Sequence, residues 1–256
     1  MLLAVTATAK LPKALGKTPL LEAVFELRFR PTIASAGDVL PGLLFAEFRA
    51  DYPAVEQLPV GNIPREMREK DANLLYQPTH RLAAPTSMVQ AGDRVVSLTM
   101  VYPYPGWAKF REGILRLLQS VGRTRLIRES ERFSFRYINV IAAPKGTPQL
   151  PMLTVQLSWP GHTFTERGLR LRFERDEADF VTVVQITPDV SGKSGDAVVS
   201  GLLVDVDTIR SKVPTAFWDT DLKLLEDAHT VAKQSFYSLL TGATLQGLEP
   251  IYDDGV

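Results

Sequence analysis

Two residues that can bind a metal ion or move a proton stand three positions apart near the end of the chain. Glu226 and His229 form an E-x-x-H pattern, and on a helix this spacing brings both side chains to one face. Di-metal bundles need the pattern twice, with further carboxylates from neighbouring helices, whereas it occurs once here. A metal-dependent hydrolase around Glu226, Asp227 and His229 is therefore one hypothesis. The favoured interpretation is a helix histidine hydrogen-bonded against a sheet.

A second pair of acids lies on a predicted strand. Asp205 and Asp207 alternate with valines, so the two carboxylates share one side of that strand. Such a pair can hold a hard cation or share a proton. Because no third acid or glycine-rich loop is near in sequence, we expect a solvated strand face, with Arg170 or Arg172 as the cross-strand partner.

The sequence gives less support to phosphate binding and to thiol chemistry. The SGKS segment at 191–194 contains a Gly-Lys pair, but a Walker A loop needs a further glycine where Thr187 stands, so we predict a polar hairpin turn. The chain has no cysteine, which excludes disulfides, thiolate nucleophiles and thiolate metal sites. We therefore predict no catalytic set, no metal site and no cofactor.

The charge balance is even overall and uneven locally. The chain has 29 basic and 29 acidic residues, unlike the basic excess of dedicated nucleic-acid binders. Residues 109–136 hold eight basic and three acidic residues, and residues 203–256 hold four basic and nine acidic. The first segment keeps a nucleic-acid-binding module as an alternative, although two separately solvated faces are favoured. No apolar run approaches the ~20 residues that span a bilayer, so we expect a cytoplasmic protein without membrane contact.

Hydrophobic periodicity predicts a sheet in the first half of the chain. Apolar side chains occupy every second position of residues 19–31, which indicates a strand with one buried and one wetted face. Residues 107–121 show helical spacing and end at Gly122, a predicted C-cap. The other predicted elements of this half are a helix over 36–50, a long loop over 53–71, and strands over 74–77, 87–90, 94–101 and 132–142.

The second half predicts strands over 152–159, 169–175, 180–187 and 198–208, followed by a helix over 221–240. Each half thus ends as several strands and one helix. The fold class predicted is α+β, with curved antiparallel sheets each packed on a long helix, in two similar strand-rich, helix-grip-like halves. We place an N-terminal β-α-β half at 1–142 and a C-terminal sheet and final helix at 143–256, or one continuous domain.

The segment VYPYPGWAKF, residues 101–110, combines aromatic residues with two prolines and a glycine. Pro103 and Pro105 end the preceding strand, since neither can donate a ladder hydrogen bond. Trp107 then becomes the first core-facing residue of the helix. We expect Tyr102 and Tyr104 to cover the sheet edge with their hydroxyls in water. A ligand-stacking platform is the alternative.

Five arginines are placed to form a row across the polar side of the sheet: Arg28, Arg30, Arg136, Arg170 and Arg172. On one concave face they would bind an anionic partner, including a nucleic-acid backbone. Acidic neighbours such as Glu22, Glu26 and Glu174 favour ordinary ion pairs instead.

Four segments occur in a recognisable order: PLLEAVFELRF (19–29), YPYPGWAKF (102–110), FRYINVI (135–141) and LEDAHTVAKQSFYSLLTG (225–242). With them the chain resembles an uncharacterised, sporadically distributed bacterial family, and the resemblance covers nearly its whole length. It implies one architecture and a mobile, accessory-type gene. It supplies no catalytic residues.

These observations favour a non-enzymatic binding protein. We expect it to recognise another protein, or a further copy of itself, through an exposed sheet face or through residues 101–110, called the aromatic turn below. The resemblance implies a bacterial accessory locus of the defence or toxin-neutralising type. Nucleic acid is an alternative partner that the charge balance does not favour. The candidate binding residues are Tyr102, Tyr104, Trp107, Arg136, Tyr137, Asn139 and His229.

Overall fold

The computed structural model describes residues 11–162, 165–194, 197–213 and 222–252, and its main element is a nine-stranded antiparallel sheet. The α+β class with antiparallel strands is confirmed. In order across the sheet, the strands are β3 (Ala54–Gln57), β4 (Pro78–Ala84), β5 (Ser87–Gly92), β6 (Val95–Val101), β2 (Leu20–Pro31), β7 (Ile127–Ala142), β10 (Ala197–Arg210), β9 (Phe180–Ser194) and β8 (Leu171–Glu177).

The three longest helices pack on one side of this sheet. The helices are α1 (Ala36–Phe48), α2 (Arg65–Arg68), α3 (Trp107–Thr124), α4 (Leu222–Leu239) and α5 (Gly242–Gly247). Helix α1 contacts β4 and β5, α3 contacts β6 and β7, and α4 contacts β7, β9 and β10. None of the helices in the described part of the chain combines the length and apolarity needed to cross a membrane.

The core begins where β2 and β7 pair at the centre of the sheet. Phe25 lies opposite Phe135 and Leu27 lies opposite Phe133, and all four side chains are completely buried. Because their strands alternate, these residues share the helix-covered side while Glu26 and its neighbours face the other way. Each buried side chain of this size stabilises the fold by about 1.5–3 kcal/mol.

One sheet runs through both predicted halves of the chain, since β7 pairs with β10 along ten residues of each strand. The packing of three helices on a single sheet differs from the predicted arrangement of one helix on each of two sheets. The division at residues 142 and 143 stays a prediction.

Two short strands near the two ends of the described chain form a separate element. Strand β1 (Ala14–Leu15) pairs with β11 (Pro250–Ile251). Further bonds run from the Lys13 N–H to the Ile251 carbonyl (2.6 Å) and from the Gly16 N–H to the Glu249 carbonyl (2.8 Å). Residues 13–19, called the strap below, are therefore held beside the start of β2.

The predicted helix over 107–121 is confirmed, and its end was predicted wrongly. Helix α3 continues past Gly122 to Thr124, and Arg125 takes the left-handed conformation with φ 55°. The N–H of Arg125 donates to the Gly122 carbonyl at 3.2 Å. A residue other than glycine therefore provides the left-handed C-cap.

Three predictions of local structure were wrong. Residues 72–76 form a turn, in which the N–H groups of Leu74 and Leu75 donate to the Asp71 carbonyl at 3.0 and 2.9 Å, and the strand begins at Pro78. The predicted loop over 53–71 contains β3 and α2. Residues 152–159 are not a strand, because the Thr154 N–H donates to the Leu239 carbonyl at the end of α4 (2.8 Å) instead of to a neighbouring strand.

A buried ion pair fixes α2 to the β5–β6 turn. Arg68 donates to both Asp93 oxygens, at 2.7 and 3.0 Å, with side-chain exposures of 6% and 7%. Removing one partner leaves the other charged and buried. We expect Arg68→Ala to lower the free energy of unfolding by about 3–5 kcal/mol, measured by urea denaturation.

The matched control for that substitution is Arg172→Ala, which removes an exposed bridge to Glu174. A loss below about 1 kcal/mol is expected for the control. Equal losses for the two variants would contradict the assignment of Arg68 as a structural anchor.

Candidate binding pocket

A cavity of about 290 Å³ opens where α4, the aromatic turn and the strap meet. Strand β7 forms its floor, and most of its wall is apolar or aromatic. Its principal lining residues are Leu15, Tyr104, Trp107, Tyr137, Asn139 and His229. Pockets of this kind, with apolar walls and a few polar groups, are the usual sites of ligand and side-chain recognition.

The turn places Trp107 in the wall. Gly106 precedes it with φ +94°, a backbone conformation that favours glycine, and its carbonyl accepts the first bond of α3 from the Phe110 N–H at 3.1 Å. The indole of Trp107 stacks on the imidazole of His229, with ring centroids 4.0 Å apart and planes 6° from parallel. The side chain predicted to enter the core thus also joins α3 to α4.

Glu226 completes that junction. Its carboxylate accepts the indole N–H of Trp107 at 2.8 Å and a guanidinium N–H of Arg111 at 2.5 Å. The E-x-x-H pattern therefore directs its glutamate to α3 and its histidine to the sheet. Both side chains contact Trp107, and His229 is also hydrogen-bonded to Tyr137 of β7, which confirms the interpretation of a helix histidine hydrogen-bonded against the sheet.

His229 is held as a neutral ring. Its Nδ1 shares a hydrogen bond of 2.9 Å with the hydroxyl of Tyr137. Burial, and to a smaller extent Lys233, lower the pKa of His229 to about 4, and Glu226 opposes this shift. Burial also raises the pKa of Tyr137 well above its usual value. Both groups are therefore uncharged at neutral pH, and Nε2 remains as the ring atom of His229 not engaged by Tyr137.

Asn139 has one side-chain polar atom, its oxygen, that is free to accept a hydrogen bond. Its amide nitrogen donates to the carbonyls of Tyr137 (3.2 Å) and Val204 (3.3 Å), which uses both N–H groups. The residue is 4% exposed and lines the cavity. Its side-chain oxygen has no hydrogen-bond partner in the described part of the chain and can only accept.

The hydroxyl of Tyr104 differs from the prediction. We expected it in water, whereas it is buried and has no partner among the residues that the structure describes. Burial raises the pKa of Tyr104 far above its usual value. The ring packs edge-on against Phe110, with centroids 6.1 Å apart. Tyr104 therefore contributes to the pocket wall with a hydroxyl that has no partner among the described residues.

The structure brings five of the seven candidate binding residues together: Tyr104, Trp107, Tyr137, Asn139 and His229. Two of the candidates lie elsewhere. Tyr102 is 40% exposed and precedes the turn. Arg136 projects to the opposite side of the sheet, because it alternates with Tyr137 along β7.

That opposite side carries the paired acids, and their environment was predicted wrongly. Asp205 is buried at 3% exposure, and Arg136 donates to both of its oxygens, with Nη2 to Oδ2 at 2.6 Å. Burial raises the pKa of Asp207, with Arg132 opposing. The partner of Asp205 is thus Arg136 and neither Arg170 nor Arg172. Neighbouring strands bury this face, although the helices lie on the other.

Four of the five arginines in the predicted row form ion pairs, as expected. Arg28 pairs with Glu26, Arg30 with Glu131, Arg136 with Asp205 and Arg172 with Glu174.

Most of the positive charge of residues 109–136 is also paired. The pairs are Lys109–Glu112, Arg111–Glu226, Arg116–Asp51, Arg123–Glu47, Arg132–Glu26 and Arg136–Asp205. Two of these acids, Glu226 and Asp205, belong to the acidic segment. Two ion pairs, Arg111–Glu226 and Arg136–Asp205, therefore join the basic segment to the acidic one.

The other motifs contribute nothing to the pocket. The segment at 191–194 lies within β9 and is not the predicted turn, and residues 195–196 lie outside the described residues. His80 bonds the hydroxyl of Thr79 at 3.0 Å, and His162 packs on Trp159. No group of three histidine, aspartate or glutamate side chains within the described ranges is placed to hold a metal ion.

Two parts of the wall were not singled out from the sequence. Ala232 and Phe236 line the cavity and, with Leu225, His229 and Leu239, form a stripe at helical spacing along α4, so the sequence contained the signal. Leu15 and Thr18 of the strap carry no motif or periodicity. Their position depends on the pairing of β1 with β11.

Comparison with known proteins adds no assignment. No protein-family model matches the chain, and no curated protein matches it. The function is therefore argued from the site itself.

The two pocket tyrosines should respond oppositely to loss of the hydroxyl. We expect Tyr104→Phe to leave stability unchanged or raise it by up to about 1 kcal/mol, because it removes a buried hydroxyl without a partner. We expect Tyr137→Phe to cost about 1–2 kcal/mol, because it strands the His229 nitrogen. Thermal and urea unfolding measure both. A larger loss for Tyr104→Phe than for Tyr137→Phe would contradict the geometry.

The lowered pKa of His229 makes stability depend on pH. Between pH 6.5 and about 4 the unfolded state binds a proton that the folded state does not, so stability falls as the pH falls through this window. The full effect is roughly 3 kcal/mol. We expect His229→Gln to flatten this part of the stability profile, measured by urea denaturation from pH 7.5 to 4.

The exposed His162 provides the control for that profile, through His162→Gln. This variant should retain the slope of the unmodified protein. An unchanged slope in His229→Gln would show that the ring is not held neutral.

Proposed function

We propose that this protein is a non-enzymatic binding protein that recognises a partner protein by enclosing one of its side chains in the aromatic pocket. The observation that carries the proposal is the assembly of Trp107, Tyr137, Asn139 and His229 around one apolar cavity. Aromatic anchors seated in such pockets provide most of the affinity in many protein interfaces.

The size of the cavity supports a side chain as the occupant. Its volume of about 290 Å³ lies at the lower limit of pockets for drug-sized ligands, about 300–1,000 Å³. A single aromatic ring matches it better than an extended small molecule does.

The surroundings of the cavity support a macromolecular partner. Ile251, which pairs with the pocket residue Ala14, is 51% exposed. Tyr252 is 39% exposed and lies close enough to the pocket residue Tyr237 to raise its pKa, which burial brings to about 12. Exposed apolar and aromatic side chains around a pocket are typical of a protein interface.

The pKa values of the pocket residues support binding over catalysis. A general base works best with a pKa near the operating pH, whereas the pKa of His229 is about 4. The pocket tyrosines stay protonated, since burial raises the pKa of both Tyr104 and Tyr137. These neutral groups suit the recognition of an uncharged side chain.

Several finer expectations belong to the same proposal and rest on the sequence. They are a cytoplasmic location, a bacterial accessory locus of the defence or toxin-neutralising type, two similar halves, and a helix-grip-like packing of α4 on the sheet.

The alternatives, a nucleic-acid-binding module and a metal-dependent hydrolase, have less support, because most of the basic segment is paired and Glu226 is engaged by Trp107 and Arg111.

Filling the pocket tests the proposal. Thr18 is exposed and lines the cavity, so the indole of Thr18→Trp should occupy it. We expect native mass spectrometry of protein purified from its own host to show a stoichiometric protein partner for the unmodified chain. The complex should be lost, or weakened at least tenfold, with Thr18→Trp.

Met67→Trp is the matched control, since Met67 is 61% exposed on α2 and does not line the pocket. It should retain the complex. Loss in both variants, or in neither, would overturn the assignment of the pocket as the recognition site.

A further inference from the structure

The polar groups of the pocket indicate what kind of ring fills it. We infer that the occupant is an aromatic ring bearing a hydrogen-bond donor, the phenol of a tyrosine or the indole of a tryptophan. This inference rests on the proposed function and specifies its ligand chemistry.

Asn139 is the ground for requiring a donor. Its two N–H groups are committed to the carbonyls of Tyr137 and Val204, and these two acceptors fix which end of the amide is nitrogen. The oxygen that remains can only accept. Because the residue is buried at 4% exposure in the cavity wall, an apolar occupant would leave this oxygen without a partner, which is unfavourable.

His229 is the ground for an uncharged occupant, since its Nε2 accepts or donates a hydrogen bond according to the tautomer. Nδ1 is engaged by Tyr137, which leaves Nε2 as its remaining polar atom, and the ring lines the same cavity. The neutral imidazole offers no charge to an anion. An uncharged O–H or N–H group therefore suits the cavity better than a carboxylate does.

The remaining wall selects a ring. Trp107 and His229 present stacked planes, and Leu15, Leu20 and Phe236 complete an apolar lining. Aromatic pairs prefer offset or edge-to-face contacts with centroids 4.5–7 Å apart, and walls of this kind provide both. A flat apolar body with one donor at its edge matches the whole surface.

Matched small probes test the donor directly. Binding of p-cresol, 4-methylanisole and toluene is measured by ligand-detected NMR and by calorimetry on the full chain, with indole and 1-methylindole as a second pair. We expect p-cresol to bind about tenfold more tightly than either toluene or 4-methylanisole, and indole about tenfold more tightly than 1-methylindole. Equal affinity within both sets would overturn the inference.

A variant connects the donor preference to Asn139. Asn139→Leu should bind toluene at least as well as the unmodified protein and lose the tenfold preference for p-cresol. If this variant does not fold, the ¹⁵N resonances of the Asn139 amide and of His229 Nε2 in the unmodified protein report the same contact. Both should shift with p-cresol and neither with toluene. A donor preference without these shifts would place the contact elsewhere.

The outcomes separate this inference from the proposed function. Binding of apolar and donor probes with equal affinity leaves a recognition pocket and overturns the donor requirement. Absence of binding by every probe overturns both. N-acetyl-tyrosinamide, blocked like a residue within a chain, should bind within a few-fold of p-cresol. Its exclusion would assign the pocket to a free phenol or indole and overturn the protein partner.

Discussion

The alternation of side chains along β7 determines which residues of this central strand face the core and the pocket and which face the other side of the sheet. The strand pairs with β2 on one side and β10 on the other, so it cannot shift by one residue without reversing both faces. Phe133, Phe135, Tyr137 and Asn139 point towards the helices, and Arg136 points away. The same register therefore builds the core, the pocket floor and the buried Arg136–Asp205 pair.

The pocket shows how an apolar region accommodates polar groups. Trp107, Glu226 and Arg111 satisfy one another, as do Tyr137 and His229, and these contacts connect α3, α4 and the sheet. Hydrogen bonds of this kind fix the orientation of rings that dispersion forces alone would leave free to turn. The hydroxyl of Tyr104 is buried without a partner among the described residues, and the side-chain oxygen of Asn139 keeps an unused capacity to accept a hydrogen bond.

Local patterns in the sequence predicted the elements that bury one side only. The alternation in β2 and the apolar stripe of α3 both record burial on one side, and both elements are present. Residues 152–159 alternate in the same way, but their backbone finds its partners at the end of α4, so the pattern alone was misleading. The environment of Asp205 was hidden for a related reason, since a partner on another strand is not visible in the residues around it.

Only part of the pocket could be predicted from the sequence. Aromatic residues in the turn and the stripe on α4 suggested candidates, because aromatic crowding and helical spacing survive in the sequence. That they meet around one cavity depends on long-range pairing, and the strap residues carry no local signal at all. The spacing of Glu226 and His229 indicated a shared helix face correctly, whereas their contacts with Trp107 on α3 and Tyr137 on β7 depend on long-range packing.

The pairing of β1 with β11 gives the pocket a property of its own. Ala14 and Leu15 take part in this pairing and also line the cavity, so one short segment serves both a junction and a binding surface. Anything that occupies the cavity therefore acts as a non-covalent clasp between distant parts of the chain, through the linkage of binding to folding. Binding in the cavity and the pairing of β1 with β11 therefore stabilise each other, and removal of either strand weakens both.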